Sequence, residues 1–300
     1  MVEPRVARRN WNMLGVPIDS VGEPGGTELG PQALLDAGLL DRSALEDRGA
    51  TAARLRDATR DGASGVVAWS DVLTLSTELA EKVAELVDPT RPLLVAGGCC
   101  TLVPGVLGGL ARVGVRPRLV YVDAHLDLYD GRNSPTGEAA DMPLAVALGV
   151  GPAGWARAAG IDHPIAAEDV VLAGPRDMAE AAGLGSALPE DLGVELIDTQ
   201  AVRSAGAGST AERLRRFASA GADGFWVHVD LDVLDPEVFP ATDAFVADGL
   251  GWDELTDLVR PLVADPACLG MNLVCFNPEK DDAAGTNAER IAELLGAVLV

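Results

Sequence analysis

The 300-residue sequence predicts an α/β fold in which a mainly parallel sheet is covered on both faces by helices. Short runs that are almost wholly apolar recur along the chain, and stretches with helical signals separate them. A hydrophobic fraction of 48% is enough to form a core. The sequence contains no visible internal repeat or linker, so residues 1–300 are expected to form one domain.

The apolar runs place the strands, and proline, glycine and capping residues place the helices. A first helix is expected to begin at Pro31 and to run through Leu39, because proline is favoured at the first helical position. Further helices are expected from Ser209, where a Ser-Thr-Ala-Glu capping box begins, from Gly251 and from Asn287. Polar stretches at 41–62 and 203–209 are expected to be connections. Strands are expected at 11–18, 93–96, 119–122, 170–173, 194–197, 225–229 and 269–274.

The charge and the cysteine content narrow the possible partners and the compartment. With 23 basic and 46 acidic residues the net charge is −23, which disfavours nucleic acid and anionic membrane surfaces as partners. No apolar run approaches the roughly 18 residues needed to span a bilayer, and the first residues show no apolar leader region. Four cysteines are too few for a disulfide framework in a chain of this size. The expected compartment is therefore the cytoplasm, and the expected partner is a small molecule.

Acidic residues follow two of the predicted strands. Asp123, His125 and Asp127 come directly after the strand at 119–122, while Asp230 and Asp232 come after the strand at 225–229. Because the side-chain period of extended backbone is two, each set can point to one side. Ligands of parallel sheets gather where strands end, so the two sets are expected to lie in a site.

These carboxylates, if they are buried, need a positive charge nearby to offset the free-energy cost of losing water. Each would carry a desolvation cost of several kcal/mol if it were unpaired. Neither acidic segment contains a lysine or an arginine, whereas aspartate oxygens and a neutral histidine suit Mn²⁺ or similar divalent ions. The alternative is that the aspartates only cap helices and stabilise turns.

The same segments resemble signatures of the ureohydrolase (arginase/agmatinase) superfamily. Residues 123–127 read Asp-Ala-His-Leu-Asp and residues 230–236 read Asp-Leu-Asp-Val-Leu-Asp-Pro, which match two specific motifs of that family. Residues 97–100 read Gly-Gly-Cys-Cys where the family has Gly-Gly-Asp-His, and residues 15–19 and 30–38 resemble its opening segments. The resemblance implies a single three-layer α/β/α sandwich of the arginase type, assembled into a homo-oligomer, a trimer or a hexamer.

The resemblance also implies a two-metal site, with Mn²⁺ as the family's usual ion. One ion would take Asp123, His125, Asp230 and Asp232; the other would share Asp123 and Asp230 and add Asp127 and Cys100. In the family, a hydroxide held between the ions attacks the guanidinium carbon, and urea leaves.

Two cysteines replace family residues at this predicted site. Cys100 stands at the position of a histidine ligand, and Cys99 at the position of an aspartate. Because thiolate favours softer ions, Zn²⁺, Fe²⁺ or Co²⁺ could replace Mn²⁺, or the position beside Cys100 could be weakly filled. The alternative is that both thiols are small buried apolar side chains.

Two further differences from the family lie at active-site positions that bear on the substrate. Ala140 stands where the family has an active-site histidine, and Cys275 where a glutamate pairs with the substrate guanidinium. His228 shares strand parity with Asp230 and is the candidate catalytic residue; the alternative is a packed histidine satisfied by backbone. Asp141 or Glu138 could take the place of the acid or base that is lost where Ala140 replaces the histidine, although either could be a solvated loop carboxylate. No substrate-binding residue is assigned.

These observations predict a metal-dependent hydrolase of a non-peptide carbon–nitrogen bond. The substrate would be a small amidine, guanidino, ureido or amide compound, and standard arginase or agmatinase activity is not expected. The alternatives are a catalytically silent ligand-binding protein with the same fold, and amide hydrolysis at one metal as in the related deacetylase fold.

Overall fold

Eight parallel strands form one sheet at the centre of the protein, in a computed structural model that describes residues 9–221 and 223–299. The strand order is β2-β1-β3-β8-β7-β4-β5-β6, and every paired register between these strands is parallel. The strands are β1 Trp11–Val16, β2 Leu45–Ala50, β3 Leu93–Gly97, β4 Arg118–Val122, β5 Val170–Ala173, β6 Glu195–Ile197, β7 Phe225–Asp230 and β8 Cys268–Val274. Residues 1–8, on which the expected lack of a leader partly rests, lie outside the described ranges.

Helices cover both faces of the sheet, which confirms the predicted three-layer α/β/α arrangement. Buried side chains of α3, α4, α5 and α6 pack on one face, and those of α1, α2 and α9 to α12 pack on the other. The helices are α1 Gly30–Asp36, α2 Leu39–Arg42, α3 Trp69–Leu86, α4 Val103–Arg112, α5 Pro143–Ala147, α6 Trp155–Ala159, α7 Met178–Gly183, α8 Pro189–Leu192, α9 Thr199–Ala205, α10 Ala207–Ser219, α11 Trp252–Val263 and α12 Thr286–Val298. Each helix in the described part of the chain is too short or too polar to span a membrane.

Several predicted boundaries differ from the observed ones for local reasons. The helix expected from Pro31 through Leu39 ends at Asp36, because Gly38 adopts a left-handed conformation (φ 78°) and starts the separate helix α2. The helix expected from Ser209 begins at Ala207, with Gly206 as its N-cap, so the predicted capping box lies inside the helix.

Several elements were not placed from the sequence, among them strand β2 and the helices α3 to α9. Strand β2 lies within the polar stretch 41–62; five of its six residues are exposed at the edge of the sheet, so it lacks the apolar pattern of a buried strand. Helix α3 was not predicted either, although its buried residues Val72, Leu75, Leu79 and Val83 follow helical spacing. The stretch 203–209 was expected to be a connection but is mostly helical, with Gly206 separating α9 from α10.

Candidate metal centre

Four neighbouring strands at the middle of the sheet deliver the candidate site residues at their carboxyl ends. Cys100 follows β3 and Cys275 follows β8, while Asp230 ends β7 and Asp232 lies in the turn after it. The segment 123–127 follows β4. The order β3-β8-β7-β4 therefore brings together Cys100 and the residues of the two aspartate motifs, all of which were predicted from the sequence as metal ligands.

A close backbone approach places the two cysteines next to each other. A side chain at Gly98 would put its Cβ 1.7 Å from the carbonyl oxygen of Ile18, so only glycine fits. The carbonyl of Gly98 accepts a hydrogen bond of 2.8 Å from the backbone N–H of Cys275. As a result, the Sγ atoms of Cys100 and Cys275 lie 4.0 Å apart.

Two residues of the site have left-handed backbone conformations. Asp127 has φ 52° and Cys275 has φ 63°, a region that residues other than glycine rarely adopt. Such conformations persist where the surroundings hold them and are concentrated at functional sites.

His125 forms one group with two carboxylates. Its Nδ1 lies 3.0 Å from an oxygen of Asp232 and 3.6 Å from Oδ1 of Asp123. Burial opposes the charge of His125, but Asp232 and Asp123 outweigh it and raise the pKa of the imidazole well above its usual value. Burial likewise acts to raise the pKa of Asp123, yet contacts with His125 and His228 outweigh it and lower that pKa to about 2. The three side chains can hold one cation.

The other carboxylates lie near thiols and near one another. Oδ2 of Asp230 is 2.7 Å from Sγ of Cys100, and Oδ2 of Asp123 is 3.7 Å from it. Tyr121 donates a hydrogen bond from its hydroxyl to Asp127. Burial, together with repulsion from neighbouring aspartates, raises the pKa of Asp127 and Asp230 well above the usual range. These side chains resist ionisation in the absence of a cation.

The thiols are also held in their protonated form. Burial is the main factor that raises the pKa of Cys100 well above its usual value, and its contact with Cys275 adds to the effect. The hydrogen bond with Cys100 lowers the pKa of Cys275, but burial and Asp230 outweigh it, so the net shift is upward.

His228 lies behind the carboxylates and is fully buried. Trp226 donates from its indole N–H to Oδ1 of Asn272 at 3.0 Å, and an indole can only donate. The Asn272 amide group therefore donates to Nδ1 of His228 at 3.3 Å, which leaves the proton of the neutral ring on Nε2. Nδ1 of the imidazole is thus satisfied by a side chain rather than by backbone.

The other imidazole nitrogen points into the candidate site. Nε2 of His228 lies 3.8 Å from Oδ2 of Asp123 and has no hydrogen-bond partner among the described residues. The ring also stacks on Tyr121, with 4.1 Å between centroids. Because this nitrogen carries the proton, it can donate towards Asp123 but cannot act as a metal ligand in that form. The catalytic role of His228 stays a prediction.

The composition of the site fits divalent cations. The side chains of Asp123, Asp127, Asp230 and Asp232 are at most 5% exposed, and within the described ranges no lysine or arginine forms an ion pair with them. Arg176 lies near Asp232 and Asp123 but donates to the backbone carbonyl of Asp232 rather than to a carboxylate. Ionisation of all four carboxyl groups would therefore leave negative charge that a bound cation would neutralise. The oxygen and nitrogen donors suit Mn²⁺, whereas the thiol of Cys100 suits a softer ion better.

The site opens into a cavity of about 360 Å³ whose mouth is acidic. Glu138 accepts a hydrogen bond from Ser20, and Asp141 accepts from Ser134 and Thr136, so both carboxylates are fixed in place. Burial raises the pKa of both groups. No lysine or arginine lines the cavity within the described part of the chain. The acidic residues on its wall are Asp19, Asp127, Glu138, Asp141, Asp230, Asp232 and Asp243.

Sequence reasoning had pointed to Glu138 and Asp141 but missed Asp19 and Asp243. Asp19 shortly follows β1, at the same edge of the sheet as the other acids, which is a signal that could have revealed it. Asp243 lies in the loop between β7 and α11, where the sequence gives no indication that the chain returns to the cavity.

Asp177 gives a prediction for the pH dependence of stability. Its carboxylate accepts a hydrogen bond from the backbone N–H of Leu126, and burial raises its pKa from 3.8 to about 6. Because the pKa of Asp177 is higher in the folded protein than in the unfolded chain, the protonated carboxyl favours the folded state. This contribution to stability is complete below about pH 4 and is lost as the pH rises through about 6. Asp177→Asn keeps an acceptor for Leu126, so the variant should be more stable than wild type at pH 7, by about 3 kcal/mol at most.

Urea unfolding of metal-free protein at pH 4 and pH 7 measures this difference. The exposed Asp191→Asn exchange serves as a matched control and should change the pH dependence little. Parallel pH profiles for wild type and Asp177→Asn would show that the Asp177 carboxyl is not perturbed.

Comparison with known proteins shows similarity along nearly the whole chain. A family model described as "Arginase family" matches residues 9–300. The arginase of Bacillus subtilis (strain 168) is 29% identical over 298 residues, which cover 96% of this chain and 98% of that protein.

Solved structures show the same similarity in three dimensions. The arginase from Bacillus caldovelox has a TM-score of 0.82 at 28% identity, over 97% of this chain and 98% of that chain. The formimidoylglutamase from Bacillus subtilis subsp. subtilis str. 168 has a TM-score of 0.73 at 17% identity, over 98% of this chain and 87% of its own; this likeness concerns the fold alone.

Proposed function

Because the chain belongs to the arginase family, we propose that it is a metal-dependent hydrolase of a non-peptide carbon–nitrogen bond in a small molecule. Membership of the family confirms the resemblance that the two aspartate motifs indicated. The observation that supports the activity best is the cluster of four buried aspartates without a lysine or arginine partner in the described ranges.

The proposed metal ligands are those predicted from the sequence. They are Cys100, Asp123, His125, Asp127, Asp230 and Asp232. Divalent cations bound there would polarise the carbon under attack and lower the pKa of a water molecule towards neutrality. Mn²⁺ is the ion expected from the family, and Zn²⁺, Fe²⁺ or Co²⁺ are the alternatives that Cys100 introduces.

Residues of this chain would orient these groups and the substrate. Tyr121 donates to Asp127, and the Nε2–H of His228 is directed at Asp123, so both would fix carboxylates of the site. We therefore propose that His228 positions Asp123, because its side chain is fully buried and does not line the cavity.

The acidic cavity supports a cationic substrate. The carboxylates of Asp19, Glu138 and Asp141 line the cavity, and no lysine or arginine lines it among the described residues. Asp243 also lies on the wall but is paired with Lys280 at 2.6 Å. Such a wall attracts an amidinium or guanidinium ion more strongly than a neutral ureido or amide group. Since Cys275 replaces the glutamate that pairs with guanidinium in the family, we do not expect standard arginase or agmatinase activity.

The remaining expectations follow from the family and from the sequence. We propose one domain over residues 1–300, a homo-oligomer that is a trimer or a hexamer, and a location in the cytoplasm. None of these proposals is needed for the chemistry of the site.

A substrate panel tests the activity. Protein purified without chelator and loaded with Mn²⁺, Zn²⁺ or Co²⁺ should release urea, ammonia or an amine from at least one linear amidine or guanidino compound. No turnover of amidine, guanidino, ureido and amide compounds by fully metal-loaded protein would contradict the proposal.

A catalytically silent ligand-binding protein is the second candidate. The observations that favour it are the replacements at Cys100, Ala140 and Cys275, each at a family site position. Cys100→His separates the two functions, since it restores the family's ligand. If metal occupancy rises in this variant while neither form turns over any compound of the panel, the binding function is favoured; turnover by either form favours the enzyme.

A further inference from the structure

A second cysteine, which the family motifs do not assign to a metal, lies beside the candidate centre. We propose that Cys275, Cys100 and Asp230 form a thiol-rich metal position that selects a thiophilic ion such as Zn²⁺ over Mn²⁺. Asp123, His125 and Asp232 would form the neighbouring position with oxygen and nitrogen donors. This proposal specifies which metal the proposed hydrolase binds. It rests on the proposed function only in assuming that cations bind in this site.

The separation of the two sulfur atoms fits one tetrahedral ion. Two thiolates at the usual Zn–S length of about 2.3 Å lie about 3.8 Å apart in tetrahedral geometry. The Sγ atoms of Cys100 and Cys275 are 4.0 Å apart, so an ion could bridge them with little movement of either side chain. Oδ2 of Asp230 accepts a hydrogen bond from Sγ of Cys100 at 2.7 Å, and the ligand atoms of the three residues lie within 4.8 Å of one another, so a third donor is at hand. Binding of an ion would replace this hydrogen bond and move the two atoms apart.

The three side chains also leave room for a further ligand. Cys100, Asp230 and Cys275 all line the cavity. Catalytic zinc sites combine three protein ligands with one open position, whereas structural sites are closed by four. This arrangement is therefore of the catalytic type.

Two features distinguish this pair from ordinary buried thiols. Cys275 is held in the left-handed region at φ 63°, with its N–H bonded to the carbonyl of Gly98, which fixes its Sγ opposite Cys100. The fully buried Nε2 of His228 has no partner in the described part of the chain and faces the cluster that contains Asp123 and Cys100. By contrast, the thiol of Cys268 donates to the carbonyl oxygen of Gly270 and lies within an apolar cluster.

Cobalt substitution tests the proposal without any substrate. Metal-free protein loaded with Co²⁺ should show thiolate-to-cobalt charge-transfer absorption in the near ultraviolet. Its intensity should fall by about half in Cys275→Ser and in Cys100→Ser, because each variant removes one of two sulfur ligands. Cys268→Ser is the matched control: it removes one buried thiol outside the cavity and should leave the absorption unchanged.

Metal competition gives a second measurement. In equal amounts of Zn²⁺ and Mn²⁺, wild type should retain Zn²⁺ at one position, and Cys275→Ser should lose Zn²⁺ affinity by more than the roughly 10–100-fold cost of losing a supporting residue. X-ray absorption of wild type loaded with one Zn²⁺ should show two sulfur ligands. This measurement uses wild type alone, so it does not require any variant to fold.

Three results would overturn the proposal: unchanged charge-transfer absorption in Cys275→Ser, Co²⁺ bound to wild type without that absorption, or a Cys100–Cys275 disulfide in protein that binds no metal after reduction. Sulfur ligation without turnover of any substrate would refute the proposed hydrolase and leave this metal position intact.

Discussion

Asp230→Asn should reduce the bound divalent metal to well below one ion per chain and abolish hydrolysis. Asp230 ends β7 and is about 1% exposed, and it is one of the two carboxylates, with Asp123, that the family resemblance assigns to both ions. Because an amide oxygen is neutral and binds a divalent cation more weakly than a carboxylate does, both positions should lose affinity. Elemental analysis of the purified variant against wild type measures the loss.

The same variant should change stability in the opposite direction when no metal is present. Burial and the nearby Asp232 and Asp123 raise the pKa of Asp230, so the fold resists its ionisation. Removing this carboxyl should therefore stabilise metal-free protein, by about 1–3 kcal/mol. The control is Asp257→Asn on the exposed side of α11, which should alter neither metal content nor stability appreciably. Full metal retention by Asp230→Asn would contradict the proposed ligand set.

Removal of metal from wild type should lower its melting temperature Tm, because a bound ligand stabilises the folded state. A ligand present at 100 times its dissociation constant contributes about 2.7 kcal/mol per site, and about 1 kcal/mol corresponds to about 2–4 °C for a domain larger than 150 residues. Each filled site should therefore raise Tm by about 5–10 °C. Chelation should abolish this gain, and added Zn²⁺, Co²⁺ or Mn²⁺ should restore it, as differential scanning calorimetry can record.

Asp230→Asn provides the control for this experiment as well. Its Tm should respond little to chelator or to added metal, since its sites are already impaired. A wild-type Tm that is the same with and without chelator, in protein never exposed to chelator before, would contradict metal-stabilised folding.

The core of the candidate site could be predicted from sequence because its residues follow buried strands directly. The segments 123–127 and 230–232 come after almost wholly apolar runs, and their parity points the acids to one side. The strand order that makes these runs neighbours, β8 between β3 and β7, is a property of the whole chain. The pairing of Cys100 with Cys275 therefore became visible only in three dimensions.

The parts that sequence reasoning missed depend on tertiary contacts. Strand β2 is polar because it lies at the edge of the sheet, so it lacks the apolar periodicity of the other strands. The tautomer of the neutral His228 ring is determined by Asn272 and Trp226, which lie on two strands and share no local motif. The acidic mouth is assembled from separate loops. Asp19 lies in a segment that resembles the family's opening strand, but neither that segment nor the loop of Asp243 indicated that these acids reach the cavity.

Anomalous X-ray diffraction from crystals of protein never exposed to chelator can show whether these aspartates bind metal. One or two anomalous peaks are expected among Asp123, Asp127, Asp230 and Asp232, within direct coordination distance of their oxygens, with one peak also beside Cys100 and Cys275. If instead no peak occurs there and the four side chains turn away from one another towards water, these aspartates do not form a metal centre.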